Sequence, residues 1–228
     1  VVCVGQNPGY FEDVEGLPFI GKSGDLLHNG FLKPARIHEL ATIYITNAVR
    51  CATPANAKPP AKSLSTCFPL YTEPDLSAIS LTCSCLYVLC LGAPASEAVF
   101  KQLFKMKVSQ KDAFSYNGRE FTWERPVVVC TEVDHQESTV SFEHATSPTP
   151  VTIFSTFHPA FVMRVPNASH DVSLHMSALS RHLRGEAPVV TSPTVIETFA
   201  PPSTCRWRCP NCQGKPHCQN PDCTAPLR

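Results

Sequence analysis

The chain predicts an α/β fold, a three-layer α/β/α sandwich with a mostly parallel central sheet, plus a small C-terminal cysteine-rich zinc module. Short apolar runs recur at residues 1–5, 42–46, 85–91 and 151–156, the length and texture of strands buried on both faces. Stretches with helical character separate them, at 23–32, 64–79, 95–107 and 172–183. Two of the runs break at a polar residue followed at once by proline, the strand end at which open α/β sheets keep their chemistry.

Taken in order, the strand at 1–5 leads into a loop marked by Pro8, Gly9, Gly16 and Pro18, and Ser23 is the expected cap of the first helix. A strand at 42–46 and a loop rich in proline and lysine (53–62) lead to the helix near 64–79. Gly92 turns the third apolar run into the helix at 95–107. A strand near 126–131 comes next, and then 132–150, whose Ser, Thr, Pro and acidic composition reads as an excursion loop. Residues 185–204, with Pro188, Pro193, Pro201 and Pro202, read as an extended linker. The expected organisation is therefore 1–184 as the main domain, 185–204 as linker and 205–228 as a separate module, with no internal repeat.

A chain of 228 residues, 43% hydrophobic, can bury a real core. No run approaches the roughly 18 apolar residues of a membrane span, and the opening residues read as a strand rather than a leader. An intracellular monomer with no membrane partner is expected; the compartment is open. Net charge is zero, from 19 cations and 19 anions, which argues against a polyanion partner. The tail from residue 205 carries Arg206, Arg208, Lys215 and Arg228 against Asp222, a net +3, leaving 15 cations and 18 anions, −3, on the remainder. Seven of the twelve cysteines are scattered, and five cluster within residues 205–223, as metal ligands do in a reduced compartment.

Four segments carry a resemblance. They are Val1-Val2-Cys3-Val4-Gly5-Gln6-Asn7-Pro8-Gly9, Gly16-Leu17-Pro18-Phe19-Ile20-Gly21-Lys22-Ser23-Gly24, Ile43-Tyr44-Ile45-Thr46-Asn47-Ala48-Val49-Arg50-Cys51, and Thr152-Ile153-Phe154-Ser155-Thr156-Phe157-His158-Pro159-Ala160-Phe161. In order and spacing they resemble the uracil-DNA glycosylase superfamily, most closely its iron-sulfur, thermophile-type branch. The resemblance implies a hydrolase of base excision repair that flips uracil out of single- or double-stranded DNA and cleaves its N-glycosidic bond.

Such an enzyme must position water, stabilise the departing base, read its edge and stack on its face. Asn7, stiffened by Pro8, is the candidate for water. The superfamily varies here: some branches carry Asp, the mismatch-specific branch Asn and the iron-sulfur branch an apolar residue. His158 suits the leaving group, because a neutral imidazole can donate to an oxygen on which negative charge grows. Asn47 offers one amide donor and one acceptor, the complement of the uracil edge, whereas cytosine presents the reverse pattern. Phe19 is the stacking platform, and Gln6 and Gly9 join the substrate-binding set. Lys22 and Ser23 could hold a DNA phosphate at a helix start. Val162, Met163 and Arg164 match the family's minor-groove wedge. Gly9 stands where the most uracil-strict branch has a bulky aromatic that excludes thymine, so the filter is either elsewhere, with Tyr10 the candidate, or loose.

Plainer structural readings compete: a turn for Asn7 and Gly9, a structural His before proline, an Asx turn for Asn47, core packing for Phe19, and a buried helix start at 162–164. The rival function is a catalytically silent member that binds nucleic acid or protein, which zero net charge favours.

Cys51 and Cys67 match the later pair of cluster cysteines in the iron-sulfur branch. A [4Fe-4S] cluster requires further ligands, and three readings stay open: a pair upstream of Val1, substitution by tail cysteines, or two relic thiols. Cys209, Cys212, Cys218 and Cys223 form a zinc-ribbon-like set for one tetrahedral Zn, with His217 able to replace Cys218.

Overall fold

The computed structural model describes residues 1–134, 139–186 and 195–196. Among the described residues, six strands form one sheet, β1 (Val2–Gly5), β2 (Ile43–Asn47), β3 (Leu86–Leu91), β4 (Arg119–Asp134), β5 (Thr139–Thr156) and β6 (Val195–Ile196), and the α-helices are α1 (Tyr10–Glu15), α2 (Lys22–Asp25), α3 (Ile37–Leu40), α4 (Ala61–Cys67), α5 (Glu73–Ser80), α6 (Ala93–Phe104), α7 (Gln110–Ser115), α8 (Pro159–Arg164) and α9 (Ser169–Glu186). Their order is β4-β5-β3-β1-β2-β6. All neighbours run parallel except β4 and β5.

The apolar runs form strands because both of their faces are buried. Val2, Val4, Leu86, Val88 and Cys90 point into one core cluster, and Cys3, Tyr87, Leu89 and Leu91 into a second on the opposite face. The first face is covered by Leu64, Phe68, Leu76 and Ile79 of the helical stretch 61–80 and by α6 (Ala93–Phe104). The second is covered by Leu27, Phe31 and Leu32 and by α9 (Ser169–Glu186), whose Val172, Met176, Leu179 and Leu183 form one apolar stripe. Truncating a buried leucine costs about 2–5 kcal/mol, so this packing holds the strand ends firmly. Because β1, β2, β3 and β5 are parallel, their carboxyl ends lie at one edge, with Gly5 opposite Asn47 and Leu91 opposite Thr156.

Several expectations are corrected. The described residues of the expected excursion loop, 132–134 and 139–150, are strand instead: β4 and β5 form a long antiparallel pair, with Phe121 opposite Val151 and Asp134 opposite Thr139, and a bulge between Cys130 and Glu132. Pairing between the two strands overrides a composition that is locally loop-like. Ser23 caps no helix: Gly21 is the cap, without a side-chain bond, and Ser23 lies inside α2 (Lys22–Asp25), which widens into a π-helix over Leu26–Leu32. The helix expected at 64–79 is three pieces: Ala61–Cys67, a π-helix over Phe68–Thr72, and Glu73–Ser80. Pro69 and Pro74 cannot donate to a regular ladder, and the wider turn accommodates them. Within the expected linker, Val195–Ile196 pairs with β2 at Ile43 and Tyr44. The cysteines of the zinc module, Cys209, Cys212, Cys218 and Cys223, lie outside the described residues. Among the described residues, no helix is long and apolar enough to cross a membrane.

Candidate active site

At the end of β2, Asn47 is 4% exposed, and its Oδ1 is buried with no hydrogen-bond partner among the described residues. A buried acceptor left unpaired is costly, about 1–3 kcal/mol, and such an atom at a strand end points to a ligand donor. The ring of Phe19 lies beside it. A Cβ on Gly5 would stand 2.3 Å from Asn47 Oδ1 and 2.6 Å from Phe19 Cε2, so only glycine allows this approach. Phe19 is itself held in a left-handed conformation (φ 55°), which costs an ordinary residue energy and marks a constrained site. Its carbonyl rests on Gly24, where an added Cβ would be 1.7 Å away.

His158, two residues past β5, brings its ring to 5.7 Å from that of Phe19, centroid to centroid, at 33°. The backbone N–H of Ala160 donates to His158 Nδ1 (3.1 Å). In the neutral ring the proton must therefore sit on Nε2, which becomes the available donor. Burial, helped by the positive charge of Arg164 and opposed by Glu12, lowers the His158 pKa to about 4. The ring is thus neutral near pH 7. Gly92 (φ 87°) opens α6 beneath it, and a Cβ there would lie 3.0 Å from His158 Cβ.

After β1, the Asn7 amide is fully engaged as a donor. Nδ2 donates to the Pro8 carbonyl (2.9 Å), Thr53 Oγ1 (3.3 Å) and Asn56 Oδ1 (3.3 Å), while Gln6 Nε2 donates to Asn7 Oδ1 (2.8 Å). Thr53 and Asn56 were not anticipated. They arrive through a short 3-10 turn in which Ala55 and Asn56 both have positive φ (50° and 55°), and Pro54-Ala55-Asn56 was the only local signal. Gly9 opens α1 (Tyr10–Glu15), where a Cβ would meet Glu12 Oε2 at 2.6 Å; the other Glu12 oxygen accepts from the Gly21 N–H (3.1 Å). Glu12 therefore ties the Gly9 turn to the Phe19 loop, a link with no sequence signature.

The remaining expected residues divide. Lys22 is exposed and Ser23 half-buried at the start of α2. The wedge expectation is corrected at one position: Val162 is 5% exposed and packs in the second core cluster, because α8 (Pro159–Arg164) turns its Pro159 and Val162 inward. Met163 (48%) and Val165 (41%) are exposed instead, as is Arg164. Tyr10 is 63% exposed on α1.

Cys51 and Cys67 are partly buried against the first core cluster, and the Arg50 N–H donates to Cys67 Sγ (3.2 Å). Burial pushes the Cys67 thiol up. Among the described residues, no group of three or more His, Cys, Asp or Glu side chains could hold a metal. Two thiols are half of a four-thiolate set, so these residues alone do not fit a cluster.

Phe19, Asn47 and His158 thus gather at the parallel strand ends, and the family model of the uracil DNA glycosylase superfamily matches residues 1–184. The chain belongs to the uracil DNA glycosylase superfamily. Relatives include three proteins named Type-4 uracil-DNA glycosylase. That of Sulfurisphaera tokodaii is 26% identical over 167 residues, 73% of this chain and 62% of the relative. That of Saccharolobus solfataricus is 29% identical over 126 residues (54% and 53%), and that of Archaeoglobus fulgidus 33% over 100 residues (44% and 47%). The chain thus spans about half to three-fifths of the length of these superfamily members.

Proposed function

We propose that this chain is a uracil-DNA glycosylase that flips uracil from single- or double-stranded DNA and hydrolyses its N-glycosidic bond. The observation that carries the reading is the buried, unpaired Asn47 Oδ1 beside Phe19 and His158. Uracil stacks on Phe19, its N3–H donates to Asn47 Oδ1, and Asn47 Nδ2 donates to O4. As the C1′–N1 bond breaks, its electron pair passes to the base, and His158 Nε2–H donates to the oxygen that gains charge. Asn7 Oδ1, in a turn fixed by Thr53 and Asn56, keeps a second lone pair to orient the water that bonds to C1′, and the proton the water sheds neutralises the departing uracil anion. Met163, Val165 and Arg164 fill the space that the flipped base leaves, with Lys22 and Ser23 beside a phosphate.

Asn47→Asp retains an acceptor and loses the amide donor, so the preference for uracil over cytosine is expected to narrow. Competition between matched oligonucleotides reads it, and an unchanged preference removes Asn47 from the pocket.

Zero net charge weighs against a polyanion substrate and so favours the second reading, a catalytically silent member that serves as a nucleic-acid- or protein-binding module. A chain that protects a uracil site from chemical modification yet generates no abasic site supports it.

Two cofactor readings belong to the same proposal. Cys51 and Cys67 carry a cluster only with two thiolates from outside the described residues, and iron analysis of the purified protein decides this. Residues 205–228 bind one Zn and add a positively charged grip on DNA. Deleting them is expected to weaken DNA binding and flatten its salt dependence, with the rate on saturating short substrate unchanged. Equal binding by the truncated chain at every salt concentration, or a tail without zinc, contradicts this.

A further inference from the structure

An amide that reads a base edge is reliable only if it cannot turn over. A rotation of 180° about its terminal torsion exchanges oxygen and nitrogen and converts the complement of uracil into that of cytosine. Among the described residues Asn47 Oδ1 has no bonded partner to prevent this, so its orientation depends on where the main chain puts it, packed against Gly5 and Phe19. On one side that main chain is held by β1, with the Ala48 and Val49 N–H groups donating to the Gly5 and Gln6 carbonyls (2.9 and 3.0 Å). On the other side, the described part of β6 pairs only with Ile43 and Tyr44, which leaves the outer edge of β2 without a strand at Asn47.

Thr72 takes that place. Its hydroxyl donates to the Asn47 carbonyl at 2.8 Å, and the two residues are 0% and 4% exposed. Thr72 is the last residue of the π-helix Phe68–Thr72. One turn on, Asp75 accepts from Thr46 Oγ1 (3.4 Å) and forms an ion pair with Arg50. Residues 46, 47 and 50 are thereby tied to residues 72 and 75.

Building on the reading of Asn47 as edge reader, we propose that Thr72, supported by Asp75, is a positioning residue for the Asn47 amide and so sets the preference for uracil over cytosine. Thr72→Val keeps the side-chain shape, removes the donor and leaves the Asn47 carbonyl buried and unpaired; Thr72→Ser restores the hydroxyl.

The test uses the full chain and two non-hydrolysable oligonucleotides, one carrying 2′-fluoro-2′-deoxyuridine and the other its cytidine counterpart at the same position. The readout is the ratio of the two affinities within each protein, which partial unfolding leaves unchanged because both affinities fall together. The wild-type chain is expected to prefer the uracil probe. Thr72→Val is expected to shrink that preference by about fivefold to a hundredfold, the scale of one lost buried hydrogen bond, and Thr72→Ser to stay within about twofold of wild type. A wild-type chain with no preference overturns the reading of Asn47, and this proposal with it. A wild-type preference that Thr72→Val retains overturns the proposal alone, as does an equal loss in both Thr72 variants.

Discussion

Replacing His158 by alanine is expected to slow single-turnover release of uracil by about 10- to 1,000-fold while leaving DNA affinity nearly unchanged. The donor acts on charge that appears only as the bond breaks, so its loss falls on the rate rather than on binding. The pH dependence sharpens this expectation. With its pKa lowered to about 4, His158 is already neutral, and its Nε2–H available, throughout the range from about pH 5.5 to 8; no inflection there should belong to it. Stability carries the opposite signature. The unfolded chain takes up the proton near pH 6.5 and the folded chain only near 4. Between these values the unfolded state binds more protons, so the contribution present above about pH 6.5 is lost as pH falls towards 4. Denaturation of wild type and His158→Gln across this window reads it: the wild type should lose ground to the variant with acidification. A His158→Ala chain that releases uracil at the wild-type rate removes His158 from the mechanism.

Gly5→Ala is expected to be as damaging, by a different route. The added methyl would lie 2.3 Å from Asn47 Oδ1 and 2.6 and 2.8 Å from two ring atoms of Phe19, distances that force a wall of the pocket to move. Overpacking of this kind costs about 1–3 kcal/mol in stability. The larger effect is on chemistry, because a displacement of about 1 Å at a reacting centre can cost about 100-fold in rate. Single-turnover rates alongside thermal melts separate the two effects. Wild-type rates from a folded Gly5→Ala protein would mean that Phe19 and Asn47 do not enclose the base.

The parts of this site that were legible in the sequence share one property: each is a local pattern. Gln6, Asn7, Asn47 and His158 stand where an apolar run stops, and Phe19 sits between glycines, so strand ends and turn chemistry mark them. The supports were not legible. Thr72 reaches Asn47 across 25 residues, Asn56 reaches Asn7 across 49, and Glu12 meets Gly21 through a turn whose geometry depends on Phe19. Nothing within a short window announces such contacts, because they exist only once helix and sheet have packed. The long β4–β5 pairing was hidden for a related reason: Ser, Thr and Pro between 132 and 150 suggest a loop until the partner strand is present to pair with them. Val162 shows the limit of reading a motif by proximity. It neighbours Met163 in sequence, but helical geometry sends the two side chains in different directions.

The most direct measurement is incubation of the purified chain with a single-stranded oligonucleotide holding one uracil, followed by alkali, which cuts the backbone only where a base has been removed. The expected result is a single cut at the uracil position, none with cytosine in its place, and a strongly slowed cut with His158→Ala. Intact uracil-containing strands after prolonged incubation with excess wild-type protein would contradict it.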